Sequence, residues 1–174
     1  MTPNTPTTTT AAPRPHAVRA GDGERVWIVG DTLTFTATAD TTGDSLAMIV
    51  CDAAPGGGPP PHIHENEDEA FYVLDGTFEI LLGDRVVTAR AGDFAFVPRG
   101  TVHRFANAGD ATGRILITFT PSGMEGFFRA AGIPAAADGS PPPLGAGEIS
   151  RTDAVAADYG LRIVDWPAHA RAER

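Results

Sequence analysis

The sequence predicts an all-β fold, a sandwich or closed barrel of many short strands. Three observations carry this. Glycine and proline are abundant, at Gly 20 and Pro 15 in 174 residues, which suits turns between strands better than helix interiors. Strand-length apolar runs separated by turn residues recur about every 8–12 residues from Val26 to Thr120. Between two of these runs stands Asp75-Gly76, a hairpin turn pair that supplies the positive φ such a turn needs.

In chain order, residues 1–16 are a Thr/Pro/Ala tract with no periodicity and almost no large apolar side chain. Such a tract cannot offset its own ordering entropy and is expected to be a flexible tail. A single barrel is expected over 17–121. Its first runs are 26–29, 33–39 and 46–51, the second alternating Leu33, Phe35 and Ala37 with threonines. The Pro-Gly-Gly-Gly-Pro-Pro-Pro stretch at 55–61 is a loop. Runs at 69–74 and 77–82 flank the hairpin turn, Gly83-Asp84 introduces 85–90, and further runs follow at 94–97, 102–106 and 114–120.

Residues 122–174 are expected to form a helical extension packing on the barrel. Ser122 and Glu125 have capping-box spacing, and Met124, Phe127, Phe128 and Ala131 make an i, i+3, i+4, i+7 stripe that Gly132 and Pro134 end. A Pro/Gly loop through 141–143 leads to a weaker helix at 151–159. There is no internal repeat, so the chain holds one unit of its fold.

Composition excludes several functions. The net charge of -9 repels phosphate backbones and anionic lipid, so neither nucleic acid nor a membrane surface is an expected partner. All 13 basic residues are arginine, which rules out lysine Schiff bases, covalent pyridoxal phosphate and a P-loop. A single cysteine, Cys51, rules out an internal disulfide, a Cys-rich zinc site and a CxxC pair. No apolar run approaches the roughly 18 residues of a membrane span and no secretory leader pattern is present, so a cytoplasmic protein is expected.

Chemistry concentrates on histidine. Of five histidines, His62 and His64 are separated by one residue; on a strand they project from one face, where two imidazoles chelate one metal ion. Glu69 opens the next strand run after the turn 65–68 and can return a carboxylate oxygen to the same point. His103, on a later strand, supplies a third nitrogen if that strand closes over the first. A lone His-x-His reads more readily as two solvated residues on an exposed edge; the Gly/Pro loop before the pair, the spaced carboxylate after it and the third histidine argue the other way. Glu65, Glu67 and Asp68 are read as a solvated turn.

The spacings resemble those of the cupins. Their first motif, G-x5-H-x-H-x4-E-x6-G, is met by Gly56, His62, His64, Glu69 and Gly76. Their second, G-x5-P-x-G-x2-H-x3-N, is met by Gly92, Pro98, Gly100, His103 and Asn107. The resemblance implies a jelly-roll β-barrel holding one metal on His62, His64, Glu69 and His103. A three-nitrogen, one-oxygen set suits nickel, iron, cobalt, manganese, copper or zinc, and it leaves coordination positions open as a catalytic metal requires. Gly76 and Gly100 are read as turn residues, and Asn107 as a turn-former and not a ligand.

Phe71, Val73, Phe78, Ile80, Phe105, Phe119, Phe127 and Phe128 are candidates to line a substrate pocket, each also readable as core. Phe127 and Phe128 need something to cover, either the barrel mouth or the outer sheet. Within the cupins the chain is most similar to the single-domain quercetin 2,3-dioxygenases, through its Gly-Gly-Gly-Pro-Pro-Pro-His-x-His approach, residues 68–76 and Phe127-Phe128-Arg129. That resemblance implies oxygen-dependent cleavage of a flavonol-like or other enol substrate, with Glu69 as ligand and as the base that takes the enol proton. The same ligands also serve a decarboxylase, isomerase or polyketide cyclase, which use no oxygen, or a small-molecule binding cupin. A homodimer is expected, with 26–39 the segment exchanged or paired at an edge.

Overall fold

A computed structural model describes residues 12–137 and 139–164. Two antiparallel sheets face each other across one core. The larger sheet uses β1 (Arg25–Ile28), β2 (Asp31–Ala37), β3 (Ala47–Ala53), β5 (Asp68–Asp75), β8 (Phe94–Val97), β10 (Gly113–Thr120) and β11 (Ile133–Pro134), in the order β11-β1-β2-β3-β10-β5-β8. The smaller uses β4 (His62–His64), β6 (Thr77–Leu82), β7 (Arg85–Arg90), β9 (His103–Asn107) and β12 (Leu161–Ile163), in the order β12-β4-β9-β6-β7.

The period of two in the sequence sets which side chains enter the core. β3 buries Ala47, Ile49, Cys51 and Ala53, and β10, paired along its length with β3, buries Ile115, Ile117 and Phe119. β5 turns Glu69, Phe71 and Val73 inward by the same alternation, which carries a carboxylate into an apolar interior. Gly76 takes the positive φ expected of it, 86°, but Asp75-Gly76 makes no hairpin: β5 pairs with β10 and β8 and β6 with β9 and β7, so this turn carries the chain from one sheet to the other.

The strands lie within one or two residues of the sequence expectation, with physical reasons for the shifts. The run at 33–39 stops at Ala37 because Thr38 and Thr41 form a reciprocal capping box for α1 (Ala39–Thr42), which Gly43 closes at φ 61°. α2 (Met124–Ala131) begins after Gly123, not Ser122. Glu125 reaches back to accept from Gly123 N at 2.8 Å and from Ala39 N at 2.6 Å. One carboxylate thus serves the starts of both helices, while Ser122 Oγ is buried without a hydrogen-bond partner among the described residues. α3 (Ala146–Ala156) starts five residues before the expected 151 and runs into a 3-10 turn, Ala157–Tyr159.

Two very short strands, β11 and β12, were not foreseen, and both come from beyond residue 121. β11 pairs with β1, and β12 pairs with β4 at Leu161↔His64 and Ile163↔His62. The extension therefore adds a strand to each sheet. It follows that 26–39 is paired on both sides within its own chain, β1 by β11 and β2, and β2 by β3. That corrects the expectation of an edge strand there; β11 and β8 stand at the edges of the larger sheet and β12 and β7 at those of the smaller.

Of the expected tail, residues 12–16 are exposed, with Arg14 N donating to Thr41 O at 3.3 Å, and 1–11 lie outside the described residues. Residues 165–174 of the expected extension also lie outside them. No described helix is long and apolar enough to cross a membrane.

Candidate metal centre

The loop before β4 is held against β9 by paired hydrogen bonds, Gly56 N to Asn107 O and Asn107 N to Gly57 O, each 2.9 Å. Gly58 lies so close to that strand that a Cβ there would stand 2.2 Å from Phe105 O. Only glycine allows the approach, and its φ of 133° is one that side chains avoid. Asn107, as expected, is no ligand: its side chain donates to Ala53 O and Ala111 O and accepts from Gly109 N, joining three loop ends.

This anchoring delivers β4 beside β9, where His62 pairs directly with His103. His62 and His64 both face inward, and Glu69 meets them from the opposite sheet. Ligand-capable atoms of His62, His64, Glu69 and His103 all lie within 4.8 Å of one another, and all four residues are buried. His103 Nε2 is 2.5 Å and His64 Nε2 3.3 Å from Glu69 Oε2, and His62 Nε2 is 3.2 Å from His64 Nε2.

The outer ring nitrogens say what this cluster is built for. His62 Nδ1 lies 2.8 Å from Pro60 O and His103 Nδ1 2.9 Å from Thr101 O. A carbonyl only accepts, so both nitrogens donate. In a neutral ring that leaves Nε2 as a bare lone pair pointing at the shared centre. Lone pairs and a carboxylate converging on one buried point repel unless a cation lies among them. The residues fit a divalent metal, and the backbone carbonyls supply the orienting partners that metal-bound imidazoles use.

Burial opposes charge throughout. It holds His62 well below its usual value, at about 3, with the neighbouring His103 and His64 adding to the effect. Burial alone pushes the Glu69 carboxyl up, but His103 and His64 outweigh it and the group titrates below the usual carboxylate range. For His103 burial acts downward and the Glu69 charge prevails, raising it.

Glu67 departs from the solvated-turn reading. It is 4% exposed, and its Oε2 stands 3.9 Å from His64 Nδ1, neither atom having a hydrogen-bond partner among the described residues. Burial raises its pKa. Asp68 instead lies at the surface, its Oδ1 3.0 Å from Arg99 Nε, and Glu65 is exposed.

A cavity opens from His62, His64 and Glu69, with about 630 Å³ of non-atom space when the open solvent at its mouth is included. Phe105, Phe119, Phe127 and Phe128 line it. Phe71, Val73, Phe78 and Ile80 do not. They are packed at 0–1% exposure, with Phe71 and Phe78 edge-on to Phe105. The correction has a plain cause: inward-facing residues of a small barrel fill it except where one end is left open. α2 covers that open end with Met124, Phe127 and Phe128, and Phe128 also meets Phe35 and Phe119. Covering the mouth and packing on the sheet are thus the same contact. Sequence reasoning missed twelve of the lining residues, among them Asp31, Ile117, Met124, Thr152, Leu161 and Ile163.

A cupin-domain family model matches residues 49–119, which contain all four metal-ligating candidates. The chain is 30% identical over 109 residues to quercetin 2,3-dioxygenase of Bacillus subtilis, covering 63% of this chain. It spans 32% of that relative's length, about a third. It is 33% identical over 107 residues to Protein SchB of Streptomyces halstedii, covering 62% of this chain and 71% of SchB. Among solved structures, the polyketide cyclase RemF of Streptomyces resistomycificus superposes with a TM-score of 0.55 at 24% identity, over 63% of this chain and 81% of RemF. Two facing antiparallel sheets, a buried His/Glu cluster between them and these matches together make the chain a member of the cupin superfamily.

Proposed function

We propose that this cupin is a metal-dependent dioxygenase acting on an enol of the flavonol type, with one divalent transition metal held by His62, His64, Glu69 and His103. The observation that carries the proposal is the convergence of three imidazoles and one carboxylate at the base of an apolar, aromatic-lined cavity. The similarity to quercetin 2,3-dioxygenase supports the choice of reaction. The bound metal supplies positive charge that stabilises the oxygen of the deprotonated enol.

The chain's own residues do the rest. Glu69, ionised, accepts the enol proton at Oε2. Phe105, Phe119, Phe127 and Phe128 receive the flat body of the substrate and exclude water from the charged centre. A homodimer belongs to this reading. With β1 and β2 paired within their own chain, the edge that offers apolar surface is β8, where Phe94 and Phe96 are 66% and 54% exposed.

Element analysis of the purified chain followed by oxygen uptake with a flavonol panel tests the proposal. Metal-dependent uptake with at least one enol is expected, and none with any enol overturns it. The same site then serves a second reading, a non-oxidative enzyme such as a decarboxylase, isomerase or polyketide cyclase, or a binding cupin. That reading is favoured by a base and an apolar cavity which need no oxygen to act.

A further inference from the structure

The cavity has a second polar feature, built from elements that carry no metal ligand. Asp31, at the start of β2, and Thr152, on α3, both line it. Each is 3% exposed, and Asp31 Oδ1 and Thr152 Oγ1 are buried without a hydrogen-bond partner among the described residues. Buried polar atoms are nearly always paired, and unpaired ones gather where a ligand completes the bonding.

The two residues are held in place deliberately. A Gly58 backbone N–H supports the Asp31 carboxyl, and a Cβ on Gly57 would come within 2.5 Å of Oδ1. One turn before Thr152, Glu148 accepts a hydrogen bond from Val29 N and so ties α3 to the β1–β2 hairpin that ends at Asp31. Other walls of the cavity are apolar, among them Ile28, Leu33, Ile117 and Leu161.

We propose that Asp31 and Thr152 form a hydroxyl-binding subsite, which selects substrates carrying a neutral phenolic or alcoholic hydroxyl in addition to the metal-binding enol oxygen. The proposal rests on the functional reading above for the second half of that description only. Burial, reinforced by the Glu148 carboxylate, raises the Asp31 carboxyl to about 8, so at neutral pH it holds its proton and both donates and accepts. Thr152 Oγ1 does the same. A ligand anion would meet Glu148 as a like charge, so the subsite takes a neutral group.

The test uses the zinc-loaded full chain and an isosteric pair of probes, phenol and toluene, with affinities from calorimetry. The ratio of phenol to toluene affinity is expected to fall about tenfold in Asp31→Leu and in Thr152→Val, and to be kept in Asp31→Asn, which preserves shape and hydrogen bonding. If Asp31→Leu does not fold, Thr152→Val decides alone. A ratio unchanged in these variants places the phenol oxygen elsewhere, the metal included, and overturns the subsite, as does failure of phenol to bind the wild type. Binding of 3-hydroxyflavone with and without zinc is measured alongside. No phenol preference in the wild type, or one unchanged in Asp31→Leu and Thr152→Val, with metal-dependent flavonol binding intact refutes the subsite alone. A wild-type phenol preference that falls in both variants, with no metal-dependent flavonol binding, supports the subsite and refutes the enol reading.

Discussion

Replacing Asp31 by Asn should change how stability depends on pH, by an amount the structure sets. The carboxyl is 3% exposed. The groups facing it are Glu148 on α3, Cys51 on β3 and the Gly58 N–H of the loop. Burial also holds the Cys51 thiol well above its usual value, so it stays neutral over the working range. Asp31 titrates at about 8 in the fold and at about 3.9 in an unfolded chain. Between those values the unfolded chain has released the proton and the folded one keeps it. The folded state then binds more protons, and stability falls as pH rises.

The slope is about 1.4 kcal/mol per pH unit, which over roughly four units gives about 6 kcal/mol as an upper bound. The Asn side chain has no proton to release, so Asp31→Asn loses this contribution. Urea unfolding of both proteins, metal-loaded, at pH 5, 6, 7 and 8 is the assay. The variant should gain on the wild type by at least about 1 kcal/mol across that range, allowing generously for local relaxation. A difference flat to within about 0.5 kcal/mol would mean that Asp31 is ionised and solvated, and the reasoning from burial would fail.

Other outcomes follow from the same geometry. At full metal occupancy Glu69→Gln should lose at least about a hundredfold in turnover of an un-ionised enol and less with one already ionised, because only the former needs a base; near wild-type turnover refutes Glu69 as base. A chelator should lower the melting temperature, since metal at about a hundred times its dissociation constant stabilises by roughly 2.7 kcal/mol, and His103→Ala should abolish most of that response. Glu67→Ala should weaken metal affinity by about 10–100-fold in a competition titration, through lost orientation of His64; unchanged affinity would make Glu67 a buried bystander. Light scattering at micromolar concentration should give a dimer mass, and a strictly monomeric mass counts against the expected assembly.

The clustering of His62, His64, Glu69 and His103 was legible because its logic is local. Alternation along a strand puts His62 and His64 on one face, and glycine and proline at fixed spacings mark the turns that bring Glu69 and His103 to them. The pocket was only half legible for the matching reason. Alternation tells that Phe71, Phe78, Phe105 and Phe119 point inward, but not which end of the barrel is filled and which is left open. Asp31 reads as a turn residue beside Val29-Gly30, and its inward aim appears only once the register Ile28↔Asp31 is known. Thr152 reads as the polar face of a weak helix, and Glu67 as one more acid in a charged turn. Neither reading anticipates α3 and the strand after it folding back over the barrel mouth. Strands as short as Ile133–Pro134 and Leu161–Ile163 carry too few residues for any period to show.

The central claim is that His62, His64, Glu69 and His103 hold one catalytic metal ion, and metal stoichiometry tests it most directly. Element analysis of the full chain, as purified and after reconstitution and desalting, should find about one divalent transition metal ion per chain, falling below about a tenth in His62→Ala and in His103→Ala. Stoichiometry equal in the wild type and both variants, or a wild type that retains no metal after reconstitution, would contradict it.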